Sequence, residues 1–365
     1  MGQFAFMIHP LDVGSVTRQF PWARFLPDSL IGKLLDRLPP FKISDIDGIR
    51  SEHGSAHGHF IVCPVTSAQF KDLPEEKTIP RVVATGRLAE RLGAGVVGLG
   101  AFTAVVGGSG QVVAEELDIA VTTGNSYTVA TAIEGAKKAA SFMGYRLDSI
   151  TLAVVGATGS IGRVCSRMLA PEVGKLILVG RDYSTLAGLR RDMGSEIAAE
   201  VDISTEVHTA LPEADVVITV SSAVDAIIQP EDLRPGAVVC DVARPRDVSE
   251  KVSSARDDVL VIEGGIVSVP GEPRWSLDFG TPEGTCMACM AETMILAMEE
   301  RYENFTLGRN LRYEQVAEID QLAKKHGFAV SGFRAFEKQL SDEKLESIRT
   351  RGREERVRLG FDVPM

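Results

Sequence analysis

The sequence predicts an α/β fold: a Rossmann-type doubly wound parallel sheet, an N-terminal α/β substrate domain and C-terminal helices. Three observations carry this expectation. The chain is 44% apolar and 6% aromatic, with 35 glycines and 17 prolines among 365 residues, as many tight strand-to-helix turns require. An apolar strand at 152–155 runs directly into Gly156-Ala157-Thr158-Gly159-Ser160-Ile161-Gly162 and then a helix at 163–169. Further apolar runs at 176–179, 197–201, 216–220, 238–242 and 260–262 keep the rhythm of alternating strands and helices, so six parallel strands are expected.

Ahead of that sheet, 1–123 reads as a substrate-binding domain with a strand at 60–64, a helix near 79–92 and a second buried strand near 95–106. The apolar run at 93–108 is broken by glycine too often for a membrane span, and a strand with tight turns is expected there. A connecting helix is expected over 124–150, where Thr123, Gly124, Asn125 and Ser126 precede a run of helical spacing at 129–143. The dinucleotide-binding domain takes 151–280 and further helices take 281–330. A charged helical tail is expected over 331–365, with Phe333, Phe336, Leu340, Leu345 and Ile348 at roughly helical spacing.

A formal charge of −11 and a pI near 5.2 argue against holding nucleic acid or an anionic membrane by bulk electrostatics. A local peripheral membrane contact is left open. Cys63, Cys165, Cys240, Cys286 and Cys289 are scattered and odd in number, which predicts free thiols in a reducing cytoplasm. Residues 1–10 lack the features of a signal peptide, and no stretch gives 18 uninterrupted apolar residues, so a soluble cytoplasmic protein is expected. Cys286 and Cys289 form a C-x-x-C pair, but no second such pair follows and no metal is expected.

The glycine turn predicts a cofactor site. Gly156 and Gly159 lack the β-carbons that would hold the backbone away from a pyrophosphate, and Gly162 lets the helix approach the sheet. Thr158, Ser160 and Ile161 complete the contact set at the helix start, where unpaired N–H groups favour an anion. The second strand ends in Leu178-Val179-Gly180-Arg181. Glycine stands where NAD-binding chains place an acid, and Arg181 offers a fork to a 2′-phosphate, so NADPH is the predicted cofactor. Asp182, one residue on, is the competing NAD-type acid.

None of this names a substrate. The stretches Gly98-Leu99-Gly100-Ala101-Phe102-Thr103, Thr122-Thr123-Gly124-Asn125-Ser126-Tyr127-Thr128, Gly264-Gly265-Ile266-Val267, Cys289-Met290-Ala291-Glu292 and Asn304-Phe305-Thr306-Leu307-Gly308-Arg309-Asn310 go further. Together they resemble the cyanobacterial long-chain acyl-acyl-carrier-protein reductases, which make fatty aldehydes for alkane synthesis. The likeness runs, with gaps, from the His57-Gly58 region to Gly327, about three quarters of the chain. It implies NADPH-dependent reduction of a long-chain acyl thioester, carried on acyl carrier protein or coenzyme A, through a cysteine acyl-enzyme. An aldehyde-consuming enzyme is an implied partner.

Cys289 matches the family's nucleophile; unaided, a cysteine on an apolar helix reads as core. Cys286 reads as a structural neighbour or a redox partner. His57 matches a histidine-glycine pair of the family and reads as an acid or base, or as part of a polar loop with His53 and His59. Asn125 and Ser126 read as a helix cap or as ligands of the nicotinamide or thioester oxygen. Gly264 and Gly265 join the cofactor set. Arg309 and Asn310 read as ties between domains or as a carrier-protein contact, and 93–106 suits an acyl-tunnel wall. The chain departs from the family over 18–40 and after Gly327, and the oligomeric state is left open. Two readings compete: a glutamyl-tRNA-reductase-like enzyme, whose sheet resembles Cys240-Asp241-Val242-Ala243-Arg244-Pro245-Arg246, and a non-catalytic NADP-binding sensor. The net charge counts against the first.

Overall fold

The computed structural model describes residues 1–194, 199–223, 225–243 and 245–361. The chain divides into two units, Met1–Tyr127 with Val267–Ala329, and Thr128–Ile266 with Val330–Met365. The helices of 281–330 thus join the N-terminal residues instead of forming a block of their own. The reason is the helix Ala288–Met298, which is buried from Met290 to Met298 and must cover its apolar surface on all sides.

The second unit holds a six-stranded sheet in the order Leu260–Glu263, Val238–Asp241, Val216–Thr219, Thr151–Val155, Lys175–Val179, Glu200–Ser204. All neighbours are parallel. This is the doubly wound order, and the strand sequence reverses between Thr151–Val155 and Val216–Thr219, where such sheets bind their ligands. The third strand begins at Glu200, and Ile197 of the expected strand lies outside the described residues.

The tail differs at its start. Arg334–Ala335 pairs antiparallel with Lys338–Gln339, and the turn at Phe336 and Glu337 has φ of 50° and 67°, so 333–340 is a hairpin and not a helix. Glu263 anchors it: its Oε1 accepts from Glu337 N at 3.0 Å, and Arg246 bridges Glu263 and Glu337 at 2.9 Å each. The helix Asp342–Leu359 follows. Its buried Arg356 donates to Asp215 Oδ1 and to the Tyr145 hydroxyl, each at 3.0 Å.

The first unit holds a mixed six-stranded sheet in the order Gly271–Arg274, Phe41–Ser51, Gly54–Val62, Gly2–Ile8, Val96–Leu99, Ala120–Thr122. The last four are parallel and the first two pair antiparallel. Its two faces are packed differently. Ala5, Met7, Ile61, Val97 and Leu99 share a core with Val82, Val83 and Ala89 of the helix Glu75–Arg91. The opposite face meets Ala288–Met298: a β-carbon on Gly98 would stand 2.1 Å from Thr293 Oγ1, and one on Gly2 1.8 Å from Ala297 O.

The strand expected over 95–106 stops at Leu99. A 3-10 turn, Ala101–Ala104, follows, and then Gly107, Gly108, Ser109 and Gly110 have φ of 59°, 65°, 58° and 82°. Four consecutive left-handed residues suit glycine, which has no β-carbon to clash. The stretch read as a tunnel wall is therefore a short strand, a turn and a left-handed loop. Among the described residues no helix is long and apolar enough to cross a membrane.

Candidate active site

Cys289 sits in the first turn of the helix Ala288–Met298. This helix runs antiparallel to the parallel strands: Ala297 lies at Gly2, where the first strand begins, and Cys289 lies at Gly124, just after the strand Ala120–Thr122 ends. Cys289 is thus placed at the carboxyl edge of the sheet, where open α/β sheets take their ligands. Gly124 has φ +74°, and a β-carbon there would stand 2.3 Å from Cys289 Cα and 2.4 Å from its Cβ. Only glycine allows both the conformation and the approach.

The two cysteines of the C-x-x-C pair differ sharply. Cys289 is half-buried, whereas Cys286, in the strand Thr285–Met287, is fully buried. Burial pushes the Cys286 thiol well above the usual range, and the neighbouring Cys289 raises it further. Burial likewise holds Cys63 at about 11 and Cys165 at about 12. No disulfide joins any of the five cysteines.

Three of the sequence stretches converge on Cys289 through Glu292, which is fully buried one turn along the same helix. Its carboxylate accepts from Thr122 Oγ1 at 2.5 Å and Tyr127 N at 2.8 Å, and also from Thr306 and the Ser126 backbone. Burial pushes this carboxyl up against the pull of its donors. Thr123 N donates to Thr306 O at 2.9 Å and Phe305 N to Val121 O at 3.2 Å. Sequence reasoning missed Glu292; the signal was one acid on an otherwise apolar helix.

Glu292 also decides how Ser126 is used. The helix Asn125–Phe142 begins with the Ser126 and Tyr127 N–H groups turned to this internal carboxylate, the arrangement of a cap. Ser126 is fully buried and its hydroxyl is hydrogen-bonded to that of Thr306 at 2.9 Å. Asn125 is half-buried at the same helix start.

His57 is not brought to Cys289. On the strand Gly54–Val62 it shares a face with Ile61, which packs against Glu75–Arg91, so it points away from the face that carries the cysteine helix. His9, which the sequence did not single out, ends the first strand at the carboxyl edge. It is buried, accepts from Phe102 N through Nε2 at 3.1 Å and donates from Nδ1 to Pro10 O at 3.0 Å. Burial pushes it down to about 4, so the ring is neutral and fixes the turn after Gly100. Arg309 and Asn310 are exposed.

In the second unit the glycine turn has the shape a pyrophosphate needs. Gly156 has φ +80°, a β-carbon on it would stand 3.0 Å from Ser221 N, and one on Gly162 would stand 2.3 Å from Gly156 O. Gly159 gives the helix Ser160–Leu169 no side-chain cap, and Thr158, Ser160 and Ile161 are half-buried. Gly264 has a packing role, since a β-carbon there would strike Val242 and Cys240 at 2.6 and 2.7 Å; Gly265 has φ +81°. Asp247, also missed, is buried and accepts from Ser221 N at 2.9 Å and Ser221 Oγ at 2.5 Å, ordering the loop beside the turn.

Arg181 is exposed at the end of the second strand. Asp182 caps the helix Tyr183–Met193, accepting from Thr185 N at 2.7 Å, Thr185 Oγ1 at 2.5 Å and Ser184 Oγ at 2.9 Å. These donors hold its carboxyl below the usual range. Its place in a cap weighs against its serving as the ribose acid of an NAD site.

Residues 136–263 match the shikimate/quinate 5-dehydrogenase family, whose members bind nicotinamide cofactors. An aminotransferase, PigE, from a Serratia species is 33% identical over 261 residues, covering 70% of this chain and 30% of that protein. A glutamyl-tRNA reductase from Methanopyrus kandleri is 32% identical over 121 residues, 30% of this chain and 29% of that one. The chain therefore spans less than a third of either protein. A long-chain acyl-[acyl-carrier-protein] reductase from Synechococcus elongatus is 31% identical over 312 residues, covering 80% of this chain and 87% of that protein. At that coverage of both proteins, the chain belongs to the family of this reductase and is an oxidoreductase with a nicotinamide-cofactor-binding domain.

Proposed function

We propose that the protein reduces a long-chain acyl thioester, on acyl carrier protein or coenzyme A, to a fatty aldehyde with NADPH, through an acyl-enzyme on Cys289. The observation that carries this reading is the position of Cys289: half-buried, in the first turn of a helix, at the carboxyl edge of parallel strands. The positive end of the helix dipole favours negative charge in the first turn, which suits a thiolate nucleophile. Its sulfur attacks the thioester carbonyl, a new C–S bond forms, and the carrier thiol leaves with the proton. NADPH, when bound, supplies the hydride that takes the acyl group to the aldehyde level. Breaking the bond to Cys289 then releases aldehyde and restores the thiolate.

The turn 156–162 would hold the pyrophosphate on backbone N–H groups and Arg181 the 2′-phosphate. Asn125, next in the chain after Gly124 at the cysteine's helix start, would orient the acyl group. The exposed Arg309 offers a cation to an acidic carrier protein. The experiment is incubation with a radiolabelled hexadecanoyl thioester without NADPH. Label should stay on the parent protein and be absent from Cys289→Ala. Equal labelling of that variant would sink the nucleophile. A ladder of acyl chains tests the substrate: each buried methylene contributes about 0.8 kcal/mol, so kcat/KM should climb with length, and a maximum at short or carboxylate-bearing chains would exclude the long-chain reading.

A further inference from the structure

Two histidines and two aspartates face one another on the antiparallel strands Phe41–Ser51 and Gly54–Val62. His57 and His59 are two residues apart and share a face; Asp45 and Asp47 do the same on the partner strand, with Asp45 in register with His59. His57 Nδ1 lies 2.7 Å from Asp47 Oδ1 and His59 Nδ1 2.8 Å from Asp45 Oδ1. The two imidazole centroids are 5.0 Å apart. One ligand atom from each of Asp45, His57 and His59 falls within 4.8 Å of the other two. Nothing in the proposed reaction uses this face.

We propose that Asp45, His57 and His59 bind a divalent transition-metal cation of the zinc class, with Asp47 as a positioning residue for His57. Tetrahedral zinc with ligands at about 2.0–2.2 Å holds them roughly 3.3–3.6 Å apart, so small side-chain rotations on two paired strands complete the set. Two imidazoles and one carboxylate favour zinc, cobalt, nickel or copper over magnesium and calcium, which take oxygen ligands. Three protein ligands leave a fourth position for water. The carboxylate of Asp47 on the ring nitrogen of His57 is the outer contact that orients a ligating histidine. The side chains of Asp45 and Asp47 are about half exposed, which gives an ion its way in, whereas His59 is 11% exposed and held. Lys42 Nζ, 2.9 Å from Asp45 Oδ1, is the cation the metal displaces.

The test uses the full-length chain stripped of metal and titrated with Co²⁺ alone, followed by zinc content after dialysis against Zn²⁺. One equivalent of cobalt should give visible d–d bands without the intense near-ultraviolet band of a cobalt-thiolate bond. His57→Ala should lose those bands, and Asp47→Asn should weaken binding about ten- to a hundredfold. If His57→Ala fails to fold by circular dichroism, Asp45→Asn, at an exposed side chain, decides: it should weaken cobalt at least as much as Asp47→Asn does. Unchanged affinity in the folded variants, a thiolate-type spectrum, or a parent that binds no cobalt overturns the site. None of these readouts depends on Cys289 chemistry, so this proposal and the reductase reading fail separately.

Discussion

Gly124 and Cys289 occupy adjoining space so closely that position 124 has no room for a β-carbon, which would stand 2.3 Å from Cys289 Cα. Overpacking of this kind costs about 1–3 kcal/mol, and the left-handed φ adds to it. Gly124→Ala should lower the melting temperature and slow acyl labelling of Cys289 at least tenfold. NADPH binding, followed by fluorescence titration, should be retained because the turn 156–162 belongs to the other unit. Parental labelling rates in this variant would contradict the contact.

Native-state alkylation separates the thiols. Iodoacetamide at neutral pH, read by peptide mass spectrometry, should modify Cys289 and spare Cys63, Cys165 and Cys286, whose burial disfavours the thiolate. Prior modification of Cys286 would reverse the assignment of the pair.

Arg181→Ala should raise the KM for NADPH by roughly ten- to a hundredfold, the worth of a charge-assisted bond, and leave that for NADH nearly unchanged. Asp182→Ala should lower the melting temperature slightly as a lost helix cap without altering cofactor preference. Steady-state kinetics with both cofactors checks this, and a shift toward NADPH in Asp182→Ala would return that acid to the cofactor site.

His9 makes the first unit acid-sensitive. Its folded value of about 4 lies below the ordinary 6.5, so the unfolded chain takes up the proton more readily. The stability it contributes is complete above pH 6.5 and is lost as pH falls through 4, up to about 3 kcal/mol. His9→Gln, which keeps an acceptor for Phe102 N, should flatten that part of the profile in urea melts at successive pH values. Identical slopes for parent and variant would remove His9 from the account.

The cofactor unit was readable because its strands are apolar runs punctuated by glycine, and the turn 156–162 marks where the first one ends. The first unit was less so. Gly2–Ile8 lies inside the sheet and is buried on both faces, so it shows no alternation. Gly107–Gly110 looks like strand by its flanking valines, yet its conformation is set by handedness and not by hydrophobicity. Cys289 was legible only through the resemblance. Glu292 was present in the quoted stretch, but its use depends on Thr122, Tyr127 and Thr306, distant in sequence. His57 was misplaced because its strand parity matters only once the face taken by the cysteine helix is known.

Each unit is assembled from two separated lengths of chain, with 267–329 closing the first and the residues from Val330 closing the second. During synthesis on the ribosome, the amino-terminal sheet therefore waits, without the helix that covers its Phe4 and Phe6 face, while all of 128–266 is translated. The cofactor unit waits longer still, because Arg356, which joins Arg234 on the buried Asp215, follows all the strands of that unit's sheet in the chain. A nascent chain stalled before 288 should expose an apolar sheet face to chaperones, and one stalled before 356 should carry a nucleotide fold that still lacks its final clasp.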